Sequence, residues 1–227
     1  MKPRLLDLFC GAGGCTRGYQ RAGFHVVGVD LKRQPRYCGD EFWQADAMTF
    51  PLDGFDAIHA SPPCQGYSRL LHLPWFKDRT YPLLIAPLRE RFVQAGIPWV
   101  IENVADAPLD AITLCGLHFG LCVYRHRKFE SNLLLLAPGG HPRHPEVIFP
   151  GPQSRPGVLR PKAGLNFRAG CGILSIGGHT SGNTRAKMSV AMGIDWMTRD
   201  ELTQAIPPAY TQFVGRQLMR ALVRTPR

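Results

Sequence analysis

From Arg4 to Val104 the chain alternates short apolar runs with segments of helical spacing, and few architectures accept that rhythm. "RLLDLF" reads as a buried strand, and "CGAGG" after it as a turn. "CTRGYQRAG" reads as a helix stopped by Gly23, and "HVVGVD" as a second strand closed by Asp30. "GDEFWQADAMTF" holds a short third strand or loop, and "GFDAIHA" a fourth strand. "LLIAPLRERFVQAG" places its apolar residues at helical spacing before a glycine stop, and "PWVIENV" is a fifth strand. Strand and helix keep alternating up to about Val104, which predicts an α/β fold with a doubly wound, mostly parallel sheet.

Beyond Val104 the rhythm breaks. Residues 131–190 are rich in Gly, Pro, His and Arg and show no clear period, which predicts loops or a small irregular insertion. Regularity returns in "DWMTRDELTQAIPPAYTQFVGRQLMRALVR". Thr198 and Glu201 stand at capping-box spacing, and a helix from about Ala209 to Val223 closes the pattern. The expected organisation is one domain formed by 1–130 and 191–227, interrupted by a small region at 131–190. No internal repeat is present.

Bulk properties narrow the function classes. A chain of 227 residues supports one domain with a sizeable core. The net charge of +10 and a pI near 9.6 favour a polyanionic partner over a merely solvated surface. "MKPRLLDLFCGAGG" meets glycine too early for a signal-peptide apolar region, and no apolar run is long enough to cross a bilayer. The expected location is cytoplasmic, with no membrane partner, and the seven irregularly spaced cysteines read as thiols and not as a disulfide framework.

Three features carry chemistry. "SPPCQGYS" places Cys64 after two prolines, each of which fixes φ and biases the preceding residue towards extended backbone. A structural thiol needs no such frame; a nucleophile does. "DLFCGAGG" ends the first strand with Gly11, Gly13 and Gly14, where a ligand approaches backbone closely. Asp30 ends the second strand, where doubly wound folds place the carboxylate that takes ribose hydroxyls. The G-x-G-G spacing differs from the G-x-G-x-x-G of dinucleotide binders and fits a nucleoside cofactor without a pyrophosphate, such as S-adenosylmethionine. Glu102 in "WVIENV" is a carboxylate in an apolar strand, costly unless paired or protonated. A doubly wound sheet collects Gly11, Asp30, Cys64 and Glu102 along one edge.

In order and content, "DLFCGAGG", "PPCQGYS", "ENV", "YRHRKF" and the closing "QAIPPAYTQFVG" resemble the cytosine-C5 DNA methyltransferases, over the whole chain except about 131–190. The resemblance implies a Rossmann-like methyltransferase fold, S-adenosylmethionine as cofactor and double-stranded DNA as partner. It implies Cys64 as the nucleophile at cytosine C6, since thiolate addition makes C5 enamine-like. Glu102 would hydrogen-bond N3 and the exocyclic amine, Asn103 would hold the loop, and Arg127 would contact the base or the Cys64 loop. For the cofactor it implies Phe9 against the adenine, Gly11, Gly13 and Gly14 beside the methionine part, Asp30 on the ribose, Asp46 on the adenine amine, and Gln204 from the closing segment. DNA contacts fall to Gln65, Ser68, Arg125, Arg160, Lys162, His179 and Asn183, with the target base flipped out of the duplex.

The chain departs from that pattern at two points. Val123 stands where glutamine is usual, and Thr203–Gln204 where Gly-Asn is usual. The region that would read the target is short, so recognition is either simple or shared with a specificity partner. The same chemistry on RNA and a catalytically impaired nucleic-acid-binding homologue are the competing readings. Cys115, His118, Cys122 and His126 have a spacing that suggests zinc, but "TLCGLHFGL" reads as a turn into a strand, and ordinary thiols and histidines are the preferred reading. Arg216, Arg220 and Arg224 share a helical face, read as a solvated stripe before a phosphate contact.

Overall fold

The computed structural model describes residues 1–68, 80–140 and 184–224, together with short strands at 147–148, 160–161 and 174–175. Its centre is a seven-stranded sheet. The strands are β1 (Arg4–Leu8), β2 (His25–Asp30), β3 (Glu41–Gln44), β4 (Ala57–Ala60), β5 (Trp99–Val104), β6 (Ile112–Leu114) and, after a two-residue β7 (Val123–Tyr124) outside this sheet, β8 (Arg127–Ser131). The order is β3-β2-β1-β4-β5-β8-β6. The first five run parallel, and β8 is antiparallel to both β5 and β6. β7 pairs in parallel with β11 (Leu174–Ser175), and β9 (Val147–Ile148) pairs with β10 (Arg160–Pro161).

Helices cover both faces because the central strands bury both of theirs. On one face Leu5, Val26, Ala57 and Val100 meet Tyr19 of α1 (Gly14–Ala22) and Tyr210, Val214 and Leu218 of α5 (Pro208–Arg224). On the other, Leu6, Leu8, Val29, Ile58 and Ile101 meet Ile85, Leu88 and Phe92 of α2 (Ile85–Ala95). The glycines predicted to stop α1 and α2 do so in left-handed conformation, Gly23 at φ 109° and Gly96 at φ 67°. The Thr198–Glu201 capping box opens α4 (Arg199–Gln204).

Two elements differ from expectation. Within the region read as irregular lies α3 (Arg185–Met192), capped by the Thr184 hydroxyl, which accepts from the Lys187 N–H. Its Met188, Ala191 and Met192 pack with Ala12, Val123 and Leu202 in a third apolar cluster, so residue 190 falls inside a helix. In "TLCGLHFGL" the end of a further strand, β6, precedes the expected turn, a 3-10 turn at Gly116–Phe119 that leads on to β7.

Candidate active site

The Cys64 loop leaves β4 through Ser61, Pro62 and Pro63, and Cys64 opens a single 3-10 turn, Gln65–Tyr67. Two prolines bring no N–H, so their carbonyls need donors from elsewhere. Asn103, at the end of β5, supplies one. Its Nδ2 donates to the Pro62 carbonyl at 2.9 Å, while its Oδ1 accepts the Val104 N–H at 2.9 Å. At the other end, the Tyr67 hydroxyl accepts the Ile85 N–H at 3.0 Å and ties the loop to the start of α2. Cys64 is half-buried, Gln65 is exposed and Ser68 half-buried.

Glu102 precedes Asn103 and is buried. Arg127, at the start of β8, brings its Nε to 3.2 Å from Glu102 Oε1. The antiparallel pairing of β8 on β5 produces this contact, because it sets Arg127 opposite Val104 and Phe129 opposite Glu102. Burial pushes the Glu102 carboxyl above its ordinary range, and the Arg127 charge and a hydrogen bond from Ser61 pull it back. Arg125 does not fit the DNA contact expected of it. It is buried, and its Nη2 donates to the Thr203 carbonyl at 2.9 Å, while its own carbonyl accepts the Tyr210 hydroxyl at 2.6 Å. Burial and the neighbouring Arg127 bring its guanidinium down to about 9. The side chain fastens α4, through the Thr203 carbonyl, to the segment before β8.

The glycine turn follows β1. Phe9 takes a left-handed φ of 59°, the sole non-glycine to do so among the described residues, at a cost of roughly 1–2 kcal/mol. Gly11 is also left-handed, at φ 49°, and a Cβ there would meet nothing within 4 Å. Gly14 is different: a Cβ would lie 2.5 Å from the Ile206 carbonyl oxygen. Gly11 therefore leaves an open face at the turn, whereas Gly14 lets the α4–α5 connection close against it. Asp30 Oδ2 accepts the Gly11 N–H at 3.1 Å and Oδ1 the Lys32 N–H at 2.9 Å, which fixes the carboxylate beside that open face with lone pairs to spare. This arrangement fits a cofactor carrying a ribose. Asp46 is exposed, with Oδ1 accepting the Met48 N–H at 2.8 Å. Gln204 is exposed at the end of α4, two residues before Ile206. At Gly13 a Cβ would stand 2.7 Å from the Cys38 sulfur, so its missing side chain serves the Cys38 thiol, which donates to the Gly13 carbonyl.

Several further residues at this edge carry no motif of their own. Arg91 of α2 donates to the carbonyls of Ala47 at 3.0 Å and Phe50 at 2.8 Å and so holds the Asp46 loop. Trp196 Nε1 donates to the Ala12 carbonyl at 2.9 Å, bracing the glycine turn. Asp7 and His59 are buried beneath the edge, on the same sheet face as Glu102. Burial pushes the Asp7 carboxyl up to about 7, opposed by its bond from the Thr16 hydroxyl, and burial brings the His59 imidazole down to about 3. A polar residue at an inward position of an apolar strand, as in "LLDLF" and "AIHA", is the signal that could have found them.

Lys162, His179 and Asn183 lie outside the described residues, and the Arg160 side chain is likewise not described. The Cys115–His118 spacing has a local cause, since the Cys115 N–H donates to His118 Nδ1 at 3.0 Å as a cap of the 3-10 turn. Among the described residues no group of three or more His, Cys, Asp or Glu is placed to hold a metal. Nor is any helix among them long and apolar enough to cross a membrane. Arg216 and Arg220 are exposed on α5.

No family model matches the chain. Over 85 residues it is 34% identical to the type II methyltransferase M1.HphI of Haemophilus parahaemolyticus, a match covering 30% of this chain and 23% of that protein. Solved structures align over nearly the full length. An E. coli prophage-encoded protein described as a DNA modification methyltransferase superposes with a TM-score of 0.62 at 14% identity, covering 98% of this chain and 100% of that one. The S. pombe Dnmt2 methyltransferase gives 0.58 at 14% identity, covering 97% and 99%. The Entamoeba histolytica methyltransferase EhMeth gives 0.56 at 12% identity, covering 99% and 98%. With its seven-stranded, mostly parallel sheet between helical layers, the chain has the Rossmann-like fold of these methyltransferases.

Proposed function

We propose that this protein methylates C5 of cytosine in DNA through a covalent adduct with Cys64. The observation that carries this reading is the bracing of one thiol loop by the adjacent strand. Asn103 holds Pro62, and the neighbouring Glu102 pairs with Arg127, so nucleophile, carboxyl and guanidinium stand on one frame. The partial match to a type II methyltransferase and the shared fold support the same reading.

Phe9, Gly11, Asp30 and Asp46 line the edge that would hold S-adenosylmethionine, with Gln204 approaching from α4; Gly13 and Gly14 shape the turn. When bound, S-adenosylmethionine supplies an electrophilic methyl group. The remaining work falls to the chain. The Cys64 thiolate adds its electron pair to C6 of a flipped-out cytosine, and the displaced π pair moves towards C5 and N3. Glu102 hydrogen-bonds N3 and the exocyclic amine, which stabilises the charge as it develops. Once C5 carries the methyl group, a base or water takes the C5 proton, the C5–H electron pair re-forms the C5–C6 double bond, and Cys64 leaves C6 as the thiolate. Arg127 holds the Glu102 carboxyl in place throughout. Target reading is assigned to the 131–190 region, with Arg160 and Lys162 on phosphates and His179 and Asn183 towards base edges.

The test is incubation with methyl-labelled S-adenosylmethionine and mixed duplex DNA, with RNA in a parallel arm, followed by nucleoside analysis. Label in 5-methylcytosine from DNA is the expected result. Label in N4-methylcytosine or N6-methyladenine would overturn the Cys64 chemistry, and label in RNA alone would reassign the substrate.

A further inference from the structure

Arg91 is half-buried in α2 and reaches across to a turn to which it does not belong. Its Nη1 donates to the Ala47 carbonyl at 3.0 Å and its Nη2 to the Phe50 carbonyl at 2.8 Å. A planar guanidinium holds both acceptors in one fixed geometry, which a lysine ammonium does not reproduce. The turn it grips begins at Asp46. The Thr49 and Phe50 N–H groups donate to the Asp46 carbonyl at 3.2 and 3.0 Å, and the Met48 N–H donates to Asp46 Oδ1 at 2.8 Å. These bonds are internal to the turn. They set its shape and leave its placement to other contacts.

Two directional contacts place it. At its start the Ala45 N–H donates to the Asp30 carbonyl at 3.0 Å, where β3 leaves its pairing with β2. Asp30 and Asp46 therefore stand at the ends of neighbouring parallel strands. On the other side the turn meets Arg91, delivered by a helix that is itself firmly seated. Leu88 and Phe92 of α2 are fully buried. Arg89 donates to Glu130 of β8 through Nε at 2.6 Å and Nη2 at 2.9 Å. Ala47, Met48 and Phe50 also pack with the core beneath α2, but apolar contact is non-directional and does not aim a carboxylate. The two charge-assisted bonds from Arg91 are directional. The outcome is an exposed Asp46 on a backbone held from both ends. Its Oδ1 is taken by Met48, and its Oδ2 accepts no hydrogen bond among the described residues.

We propose that Arg91 is a positioning residue that gives the cofactor site its preference for adenine. It touches no ligand and acts through the backbone of the 46–50 turn. The proposal rests on the adenine contact of Asp46 proposed above. A carboxylate held still accepts from the adenine amine and repels a 6-oxo purine, which presents a carbonyl oxygen at the same place. A carboxylate free to swing turns away from that oxygen at little cost and loses the distinction. Loss of Arg91 therefore lowers selectivity between the two bases, and not affinity alone.

The test is titration calorimetry on the whole chain with S-adenosylhomocysteine and with its 6-oxo analogue, in which the adenine amine is replaced by a carbonyl. Wild type prefers the adenine ligand by at least about tenfold, the scale of one hydrogen bond to a charged acceptor. In Asp46→Ala the two affinities converge. In Arg91→Met they converge as well, although the side chain removed meets only backbone. Arg91→Lys keeps the charge and the stem, engages one carbonyl, and falls between wild type and Arg91→Met. It also decides the matter if Arg91→Met does not fold.

A folded Arg91→Met or Arg91→Lys protein that keeps the wild-type ratio overturns the proposal, even where both ligands bind more weakly, because an equal loss is the mark of a structural brace. That result leaves the Asp46 contact standing when Asp46→Ala has lost the ratio. A wild-type ratio retained in Asp46→Ala is a different failure: it removes Asp46 as the adenine contact and the role of Arg91 with it. Absence of S-adenosylhomocysteine binding to wild type removes the cofactor site itself and overturns both.

Discussion

Asp7 and His59 stand opposite each other in the β1–β4 register, both buried, and burial drives their titrations in opposite directions. The carboxyl is raised from 3.8 to about 7 and the imidazole lowered from 6.5 to about 3. Desolvation disfavours the charged form of each, so both are neutral in the fold over a shared pH range.

This pairing predicts compensating stability. The Asp7 contribution is complete below about pH 4 and is lost as pH rises towards 7. The His59 contribution is complete above about pH 6.5 and is lost as pH falls towards 3. Between about 4 and 6.5 the slopes oppose each other, each approaching ~1.4 kcal/mol per pH unit. Relative to wild type, Asp7→Asn loses Tm as pH falls through that window, and His59→Gln loses Tm as pH rises through it. Calorimetric Tm curves that run parallel for all three proteins would remove the opposed titrations.

Cys64→Ser abolishes turnover and leaves the fold and cofactor affinity intact, because a serine hydroxyl ionises far less readily than a thiol. Trapping provides the check: duplex DNA carrying 5-fluorocytosine forms a denaturation-resistant adduct with wild type and none with the variant. An adduct with the serine protein would relocate the nucleophile.

Asn103→Ala leaves the Pro62 carbonyl without its donor in a buried setting, at a cost of about 1–3 kcal/mol. The missing tether acts on the Cys64 loop, so kcat falls at least tenfold while the affinity for S-adenosylmethionine is kept. Denaturant melts and single-turnover kinetics measure the two effects. A drop in stability with unchanged kcat would confine Asn103 to a structural role.

Gly11 and Gly14 separate cofactor space from packing. Gly11→Ala sets a Cβ on the open face at φ 49°, costs about 1 kcal/mol of stability and weakens S-adenosylmethionine binding strongly. Gly14→Ala drives a Cβ towards the Ile206 carbonyl, where the gap is 2.5 Å, and its main effect is on folding. Titration calorimetry beside thermal melts distinguishes them; cofactor affinity unchanged in Gly11→Ala would place the ligand elsewhere.

Neutralising Arg160 and Lys162 together is expected to weaken DNA binding on all sequences and to flatten the salt dependence by about 0.9 log units for each phosphate left unneutralised. Asn183→Ala or His179→Ala is expected to change which cytosines are methylated. An unchanged salt slope with an unchanged methylation map would place recognition in a partner chain.

Local features of the chain determine the elements that need no distant partner. Four of the parallel strands, β1, β2, β4 and β5, are legible because each is an apolar run bounded by a turn residue, whereas β3, the largely exposed "EFWQ", reads equally as strand or loop; the glycine stops and the Thr198 cap act within a few residues of themselves. The Cys64 frame is legible for the same reason, since proline restricts its own neighbours. α3 is obscured: Met188, Ala191 and Met192 have helical spacing, but they sit in a single short helix after a long stretch rich in glycine and proline. Only the tertiary structure decided where the polar side chains go. "YRHR" does not reveal that one arginine turns inward to Thr203 while the other reaches Glu102, because the antiparallel placement of β8 sets that choice. "AIHA" does not reveal that its histidine lies between a tyrosine 40 residues earlier and the serine two residues on. A hydrogen bond's direction and a buried group's charge depend on what surrounds them in space, and that is fixed when the sheet and α1 close over the site.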